Sequence, residues 1–249
     1  MDAQTVAWIL GAGAATAVGG LFLLVVPHPS ERLLAALLGF TGGVMLAATS
    51  FSLLLPATER GALWEVLVGF GLGAALFAVL DRVVPHVHAR FLERDHPRAA
   101  DRQRATMLLS ALTIHNVPEG LAVGIAFAAG GPELGVPLAL AIGIQNIPEG
   151  FAAAAPLVAA GARPAVAVAF AAATGAVEPP AAFAAFAAFD LTDALLPAGL
   201  AFAAGAMLYV VVDELIPESH ARGREREREA TLALMGGFAL MLGLDVGLG

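Results

Sequence analysis

Cysteine is absent from this chain of 249 residues. That excludes disulfides and thiolate metal sites, and leaves His, Asn, Gln, Asp and Glu as the side chains open to a metal. Lysine is absent too, so all 13 basic side chains are arginines. Charge is scarce: charged residues make up 14% of the chain against 59% hydrophobic, with a mean hydropathy of +0.81. Such a balance excludes a water-soluble domain of this length. The net charge of -8 says little about partners, because in a membrane setting the placement of charges outweighs their sum. A lipid bilayer is the expected surrounding, and no nucleic-acid partner is expected.

A spanning helix needs about 20 mostly apolar residues. Eight segments meet that requirement: Thr5–Val26, Leu33–Leu55, Ala62–Val84, Ala105–Gly130, Gly135–Ala160, Ala165–Ala188, Ala194–Pro217 and Ala230–Leu248. Gly, Pro and charge punctuate the joints, as in Pro27-His28-Pro29-Ser30-Glu31-Arg32 and Gly130-Gly131-Pro132-Glu133. The fold class expected is therefore an all-α integral membrane protein of eight transmembrane helices, with residues 1–249 forming one domain. The arginines orient it. Arg32, the run from Arg82 to Arg104, Arg163 and the run from Arg222 to Arg228 fall on one side, and Arg60 falls on the other. The positive-inside rule then puts both termini outside the cytoplasm, in a multi-pass protein of the cell (inner) membrane. Asp2, and no basic residue, precedes the first apolar run, so segment one reads as a retained helix rather than a cleaved signal.

Two hexapeptides thirty positions apart carry the chemistry. They are His115-Asn116-Val117-Pro118-Glu119-Gly120 and Gln145-Asn146-Ile147-Pro148-Glu149-Gly150, in segments four and five. A carboxylate near the bilayer midplane costs roughly 2.5 to 3.5 kcal/mol, so two Glu side chains at equivalent places imply a cation or a proton that offsets the cost. Within each hexapeptide the first residue and the Glu four positions later share a helix face, so His115 with Glu119 and Gln145 with Glu149 can converge on one ion. Pro118 and Pro148 should bend their helices and free the carbonyls near Ile114 and Ile144, and the Gly after each Glu permits close helix approach. A single copy reads equally well as a proline-kinked helix with a hydrogen-bonded polar residue; two matching copies do not. A proton relay stays open for either Glu, while His115 favours a metal.

These segments resemble the paired metal-binding helices of the ZIP (Zrt/Irt-like) family of divalent-metal transporters, above all its prokaryotic GufA-like branch. The resemblance spans the chain through its segment count, its orientation and the basic, His-containing stretch after segment three. It implies helices one to three and six to eight as inverted repeats around four and five, uptake of metal toward the cytoplasm, and a homodimer. It also implies a binuclear site. One metal is held by His115, Glu119, Gln145 and Glu149 with Met45 close by; a neighbouring one uses Asn116, Asn146 and Glu178, with Glu119 and Glu149 bridging. Some relatives have Asp where this chain has Asn146, which should weaken the second position.

Further residues follow from the same resemblance, each beside an ordinary reading. Glu178 before Pro179-Pro180 is an inward-facing ligand or a solvated residue at a helix break. Met45 otherwise reads as core. Ser52 and Glu59 stand where relatives have an entrance path, and Asp213 and Glu214 where they have an exit path; interface polarity and helix-end charge are the alternatives. Residues 85–104 are expected to form a cytoplasmic loop whose His86, His88 and His96 either capture released metal or are simply solvated. Imidazole, carboxylates and amides without thiolate suit Zn(II) first, then Cd(II), Fe(II), Mn(II), Co(II) and Ni(II); Mg(II) prefers oxygen ligands and retained water. The metal is a substrate and no cofactor is expected. An integral-membrane metalloenzyme is the rival reading, together with a metal sensor, but the chain has no His-Glu-x-x-His and no evident nucleophile.

Overall fold

A computed structural model describes residues 1–26, 29–92, 97–159, 161–189, 193–221 and 224–248. Every regular element among them is helical: α1 Ala3–Leu21, α2 Glu31–Ala47, α3 Leu55–Arg60, α4 Leu63–Leu92, α5 Pro97–Ala159, α6 Pro164–Gly175, α7 Glu178–Phe189, α8 Leu196–Val210, α9 Ile216–His220 and α10 Arg224–Leu248, with short 3-10 and π turns between some of them. The starts are written locally. Asp2 accepts the Thr5 amide at 2.8 Å and Ser30 accepts that of Leu33 at 3.2 Å, capping α1 and α2. Prolines near the N-termini of α6 and α8 sit where the missing N–H removes no helical bond.

Among the described residues, seven stretches are long and apolar enough to cross a membrane: Ala3–Leu24, Glu31–Arg60, Leu63–Leu80, Thr113–Ala159, Pro164–Phe189, Leu196–His220 and Arg226–Gly247. Thr113–Ala159, at 47 residues, takes in most of the two segments expected as four and five. Inside α5, Gly131 leaves the helical region with φ 57° and ψ -144°, a conformation suited to glycine, and Pro132 follows it. The arms on either side fold back on one another. Gln145 Nε2 lies 2.6 Å from Glu119 Oε1, 26 positions away, where a continuous helix would hold them about 39 Å apart.

Several boundaries depart from the sequence reading. The helix after Leu63 runs to Leu92 and the next begins at Pro97, so residues expected as a loop at 85–104 are helical on both sides of 93–96. The Ala and Arg content of 98–105 favours helix over coil. His96 lies outside the described residues, as do the side chains of His86 and His88. Segment six divides into α6 and α7 at residues 176–177, directly before Glu178 and its two prolines. Neither Pro118 nor Pro148 takes its residues out of helical geometry; the break is at Gly131.

Two π turns, Ala48–Leu54 and Val211–Leu215, each precede a proline, at Pro56 and Pro217. Proline cannot bond the carbonyl four residues back and clashes with it, and a wider turn relieves both. The residues four back are Ser52 and Asp213. The helices associate in two groups: α1, α6 and α7 pack on α5, while α2 pairs with α10 and α4 with α8. The hexapeptides lie where the α5 arms meet both groups.

Candidate metal centre

All eight residues expected as ligands are buried: Met45, His115, Asn116, Glu119, Gln145, Asn146, Glu149 and Glu178. The glycines that close the hexapeptides explain how backbone from other helices reaches them. A Cβ at Gly120 would fall 2.3 Å from the Glu178 carbonyl oxygen, and one at Gly150 would fall 2.1 Å from that of Thr16. Only glycine admits α7 and α1 at those distances. Each hexapeptide thus brings one neighbouring helix against the Glu before its Gly.

One chain of hydrogen bonds runs through the cluster. The Gln145 Nε2 amide donates to Glu119 Oε1 at 2.6 Å and to Asn146 Oδ1 at 2.7 Å. Asn146 Nδ2 donates to both Glu178 oxygens at 2.9 Å and to the Ala12 carbonyl at 2.9 Å. Thr16 adds its hydroxyl to Glu178 Oε1 at 3.3 Å, and Thr41 donates to the Gln145 carbonyl at 3.4 Å. His115 Nε2 stands 2.9 Å from Glu214 Oε2. Among the described residues, no group of three His, Asp or Glu side chains is gathered closely enough to hold a metal by those residue types alone. Carboxylates and amides alternate instead.

The unpaired atoms sort the ligands. Glu119 Oε2, Glu149 Oε2, Gln145 Oε1 and both polar atoms of the Asn116 amide are buried without a hydrogen-bond partner. A buried polar atom left unpaired costs about 1 to 3 kcal/mol, more when charged, and four residues leave such atoms within two hexapeptides. Oxygen donors of this kind suit a borderline divalent cation together with imidazole. Gln145 keeps its oxygen, the atom that can bind a cation, while spending its nitrogen on Glu119 and Asn146. By contrast, Glu178 and Asn146 satisfy one another.

Outside the cluster the candidates divide. Ser52 is buried and donates to Asp245 Oδ1 at 2.7 Å. Glu214 is half-buried and touches His115. Asp213 and Glu59 are exposed and join neither contact. Met45 is part of the apolar core. Sequence reasoning missed Thr16, Thr41 and Asp245. Asp245 carried a signal, since an acidic residue inside an apolar segment is a functional candidate by default; Thr16 and Thr41 carried none.

Comparison with known proteins gives the chain's family. The family model of the ZIP zinc transporters matches residues 86–245. The chain is 45% identical to the zinc transporter GufA of Myxococcus xanthus over 100% of both chains. It is 41% identical to the zinc transporter ZIPB of Bordetella bronchiseptica, over 95% of this chain and 78% of that one. To human zinc transporter ZIP11 it is 34% identical, over 94% of each.

Proposed function

The chain belongs to the ZIP family of zinc transporters, in its GufA-like prokaryotic branch, and from that premise we propose that it carries divalent transition-metal ions, Zn(II) foremost, through a multi-pass membrane domain toward the cytoplasm. It is a transporter and not an enzyme; the metalloenzyme and sensor readings give way to relatives named zinc transporters. The observation that carries the residue assignment is the set of buried, unpaired oxygens on Glu119, Glu149, Gln145 and Asn116. In hydrocarbon such atoms have no water to turn to, and a cation passing between them supplies what they lack.

On this reading the transported ion meets Asn116, Glu119, Gln145 and Glu149, with His115 at the margin facing Glu214 and Met45 nearby. A second ion would use Glu178 and Asn146 only after their mutual hydrogen bonds open. Glu214 and Ser52, the latter with Asp245, belong to the path; Asp213 and Glu59 are weaker members.

Eight crossings are supported by the hairpin at Gly131, which makes two spans of Thr113–Ala159. The inverted repeat is supported by reciprocal close approaches. Gly43 meets Leu234 and Gly237 meets Phe40 between α2 and α10, while Gly73 meets Phe202 and Gly205 meets Phe70 between α4 and α8. Likewise α1 rests on the second arm of α5 and α7 on the first. A two-fold exchange of segments one, two and three with six, seven and eight, and of four with five, maps each pair onto the other. With both termini outside, a single 1–249 domain, residues 85–104 on the cytoplasmic side and a homodimer in the inner membrane complete the proposal. The test is uptake of Zn(II) and Cd(II) by vesicles holding the purified protein: flux above that of empty vesicles is expected, and equal flux across a panel of divalent metals overturns it.

A further inference from the structure

An open groove of about 450 Å³ lies between the two helix groups, lined only by apolar surface. Phe22 forms one end, Leu33, Leu37 and Phe40 of α2 one wall, and Pro148 and Phe151 of α5 the other. Phe22 and the residues of both walls lie within stretches apolar and long enough to span the membrane, so what faces the groove is lipid. The volume falls within the range of small-molecule sites, about 300 to 1,000 Å³.

Its polar end carries two exposed arginines, Arg32 and Arg163, with the carboxylates of Glu31 and Glu229 beside Arg32. Arg32 directly precedes the lining residue Leu33 and is highly exposed, with one guanidinium nitrogen 2.7 Å from Glu229. Arg163 caps the start of α6 and is exposed. α6 runs antiparallel to α1: a Cβ at Gly13 would meet Gly175, and one at Gly20 would meet Ala171. The start of α6 is therefore beside the end of α1, where the groove opens. Anionic headgroups are attracted to arginine at a membrane surface, whereas a zwitterionic headgroup gains little from it.

We propose that this groove holds one acyl chain of an anionic phospholipid whose headgroup rests against Arg32 and Arg163. The site also touches the transport machinery from behind. At 3.6 residues per turn, Ile147, Pro148 and Phe151 lie on the helix face opposite Gln145, Asn146 and Glu149. A chain in the groove bears on the back of the second hexapeptide.

The test is lipid retention by the purified full-length protein in native mass spectrometry, with palmitoyl-oleoyl phosphatidylglycerol and the matching phosphatidylcholine as probes, followed by cross-linking with a phosphatidylglycerol carrying a diazirine on its acyl chain. One phosphatidylglycerol per chain is expected, held more tightly than phosphatidylcholine, with cross-links on Leu37, Phe40 or Phe151. Leu37→Trp, which fills the groove, should remove both signals. Arg32→Gln, a change at an exposed side chain that keeps the variant set informative if the groove mutant fails to fold, should weaken retention about fivefold. Equal retention of the two lipids, cross-links that map elsewhere, or retention unchanged in both variants overturns the proposal. None of these readouts depends on metal flux.

Discussion

Asn146→Asp exchanges the amide that holds Glu178 for a second carboxylate. Asn146 Nδ2 lies 2.9 Å from each Glu178 oxygen and 2.9 Å from the Ala12 carbonyl, so the variant loses three donor contacts and sets oxygen against oxygen. Two unit charges at that separation repel by about 6 kcal/mol at an effective dielectric near 20. The lost donor alone costs about 1 to 3 kcal/mol. Without metal, the variant should therefore unfold more readily than wild type by several kcal/mol, less whatever a shared proton recovers. With Zn(II) the sign reverses, because the introduced carboxylate and Glu178 would then face a divalent cation with two charges in place of one. Ligand at 100 times its Kd stabilises by about 2.7 kcal/mol, enough to recover much of the loss. Thermal unfolding in detergent with and without Zn(II), alongside calorimetric titration, measures both halves. The variant should bind one more Zn(II) per chain than wild type and release it more slowly, lowering turnover, since a transported ion has to bind weakly enough to leave. Metal-free stability equal to wild type, together with unchanged stoichiometry, would refute the reasoning.

Glu119→Ala and Glu149→Ala should each abolish high-affinity metal binding and transport together, because each removes a carboxylate that faces the ion; wild-type titration curves for both would show the site to be elsewhere. Gly150→Ala forces a methyl to within 2.1 Å of the Thr16 carbonyl and should destabilise the protein by roughly 1 to 3 kcal/mol, while Gly71→Ala, whose Cβ would meet nothing within 4 Å, should not; thermal unfolding of the pair separates packing from a general intolerance of alanine. Cysteines placed singly at Arg163 and Arg226 should be labelled from the cytoplasmic side and one at Glu133 from outside, in a background with no native cysteine; labelling of all three from one side would overturn the eight-crossing topology.

The membrane character and the helix pair at the centre were legible because hydropathy and a repeated motif are local properties. Gly130-Gly131-Pro132 announced the hairpin in the same way, and Gly131 carries the positive φ. Helix extents were less legible. Punctuation by Arg, His and Pro85 suggested a loop at 85–104, yet Ala and Arg are good helix formers outside a membrane as well as within it, so loss of hydropathy did not mean loss of helix. The break between α6 and α7 left only a carboxylate before two prolines as its mark, and apolar composition continues across it. Contacts were least legible of all. Ser52 meets Asp245 across 193 positions and Thr16 meets Glu178 across 162, and no local pattern encodes either.

What the hexapeptide pattern did encode is equivalent backbone with unequal chemistry. Gly120 seats Glu178 beside the first copy and Gly150 seats Thr16 beside the second, and Thr16 in turn donates to Glu178. The leading residue is His115 in one copy and Gln145 in the other, and Gln145 donates to Glu119. In both cases a neutral donor holds a carboxylate that belongs beside the first copy. Such pairing has a kinetic consequence. Carboxylates held by amide and hydroxyl donors keep their geometry when no ion is present, so an entering cation competes with N–H and O–H groups instead of ordering loose side chains. The same donors take the carboxylates back as the ion departs, which lowers the cost of release. A site made of carboxylates alone would bind more tightly and let go more slowly; on the proposed reading, the neutral residues Gln145, Asn146 and Thr16 would keep this one fit for passage.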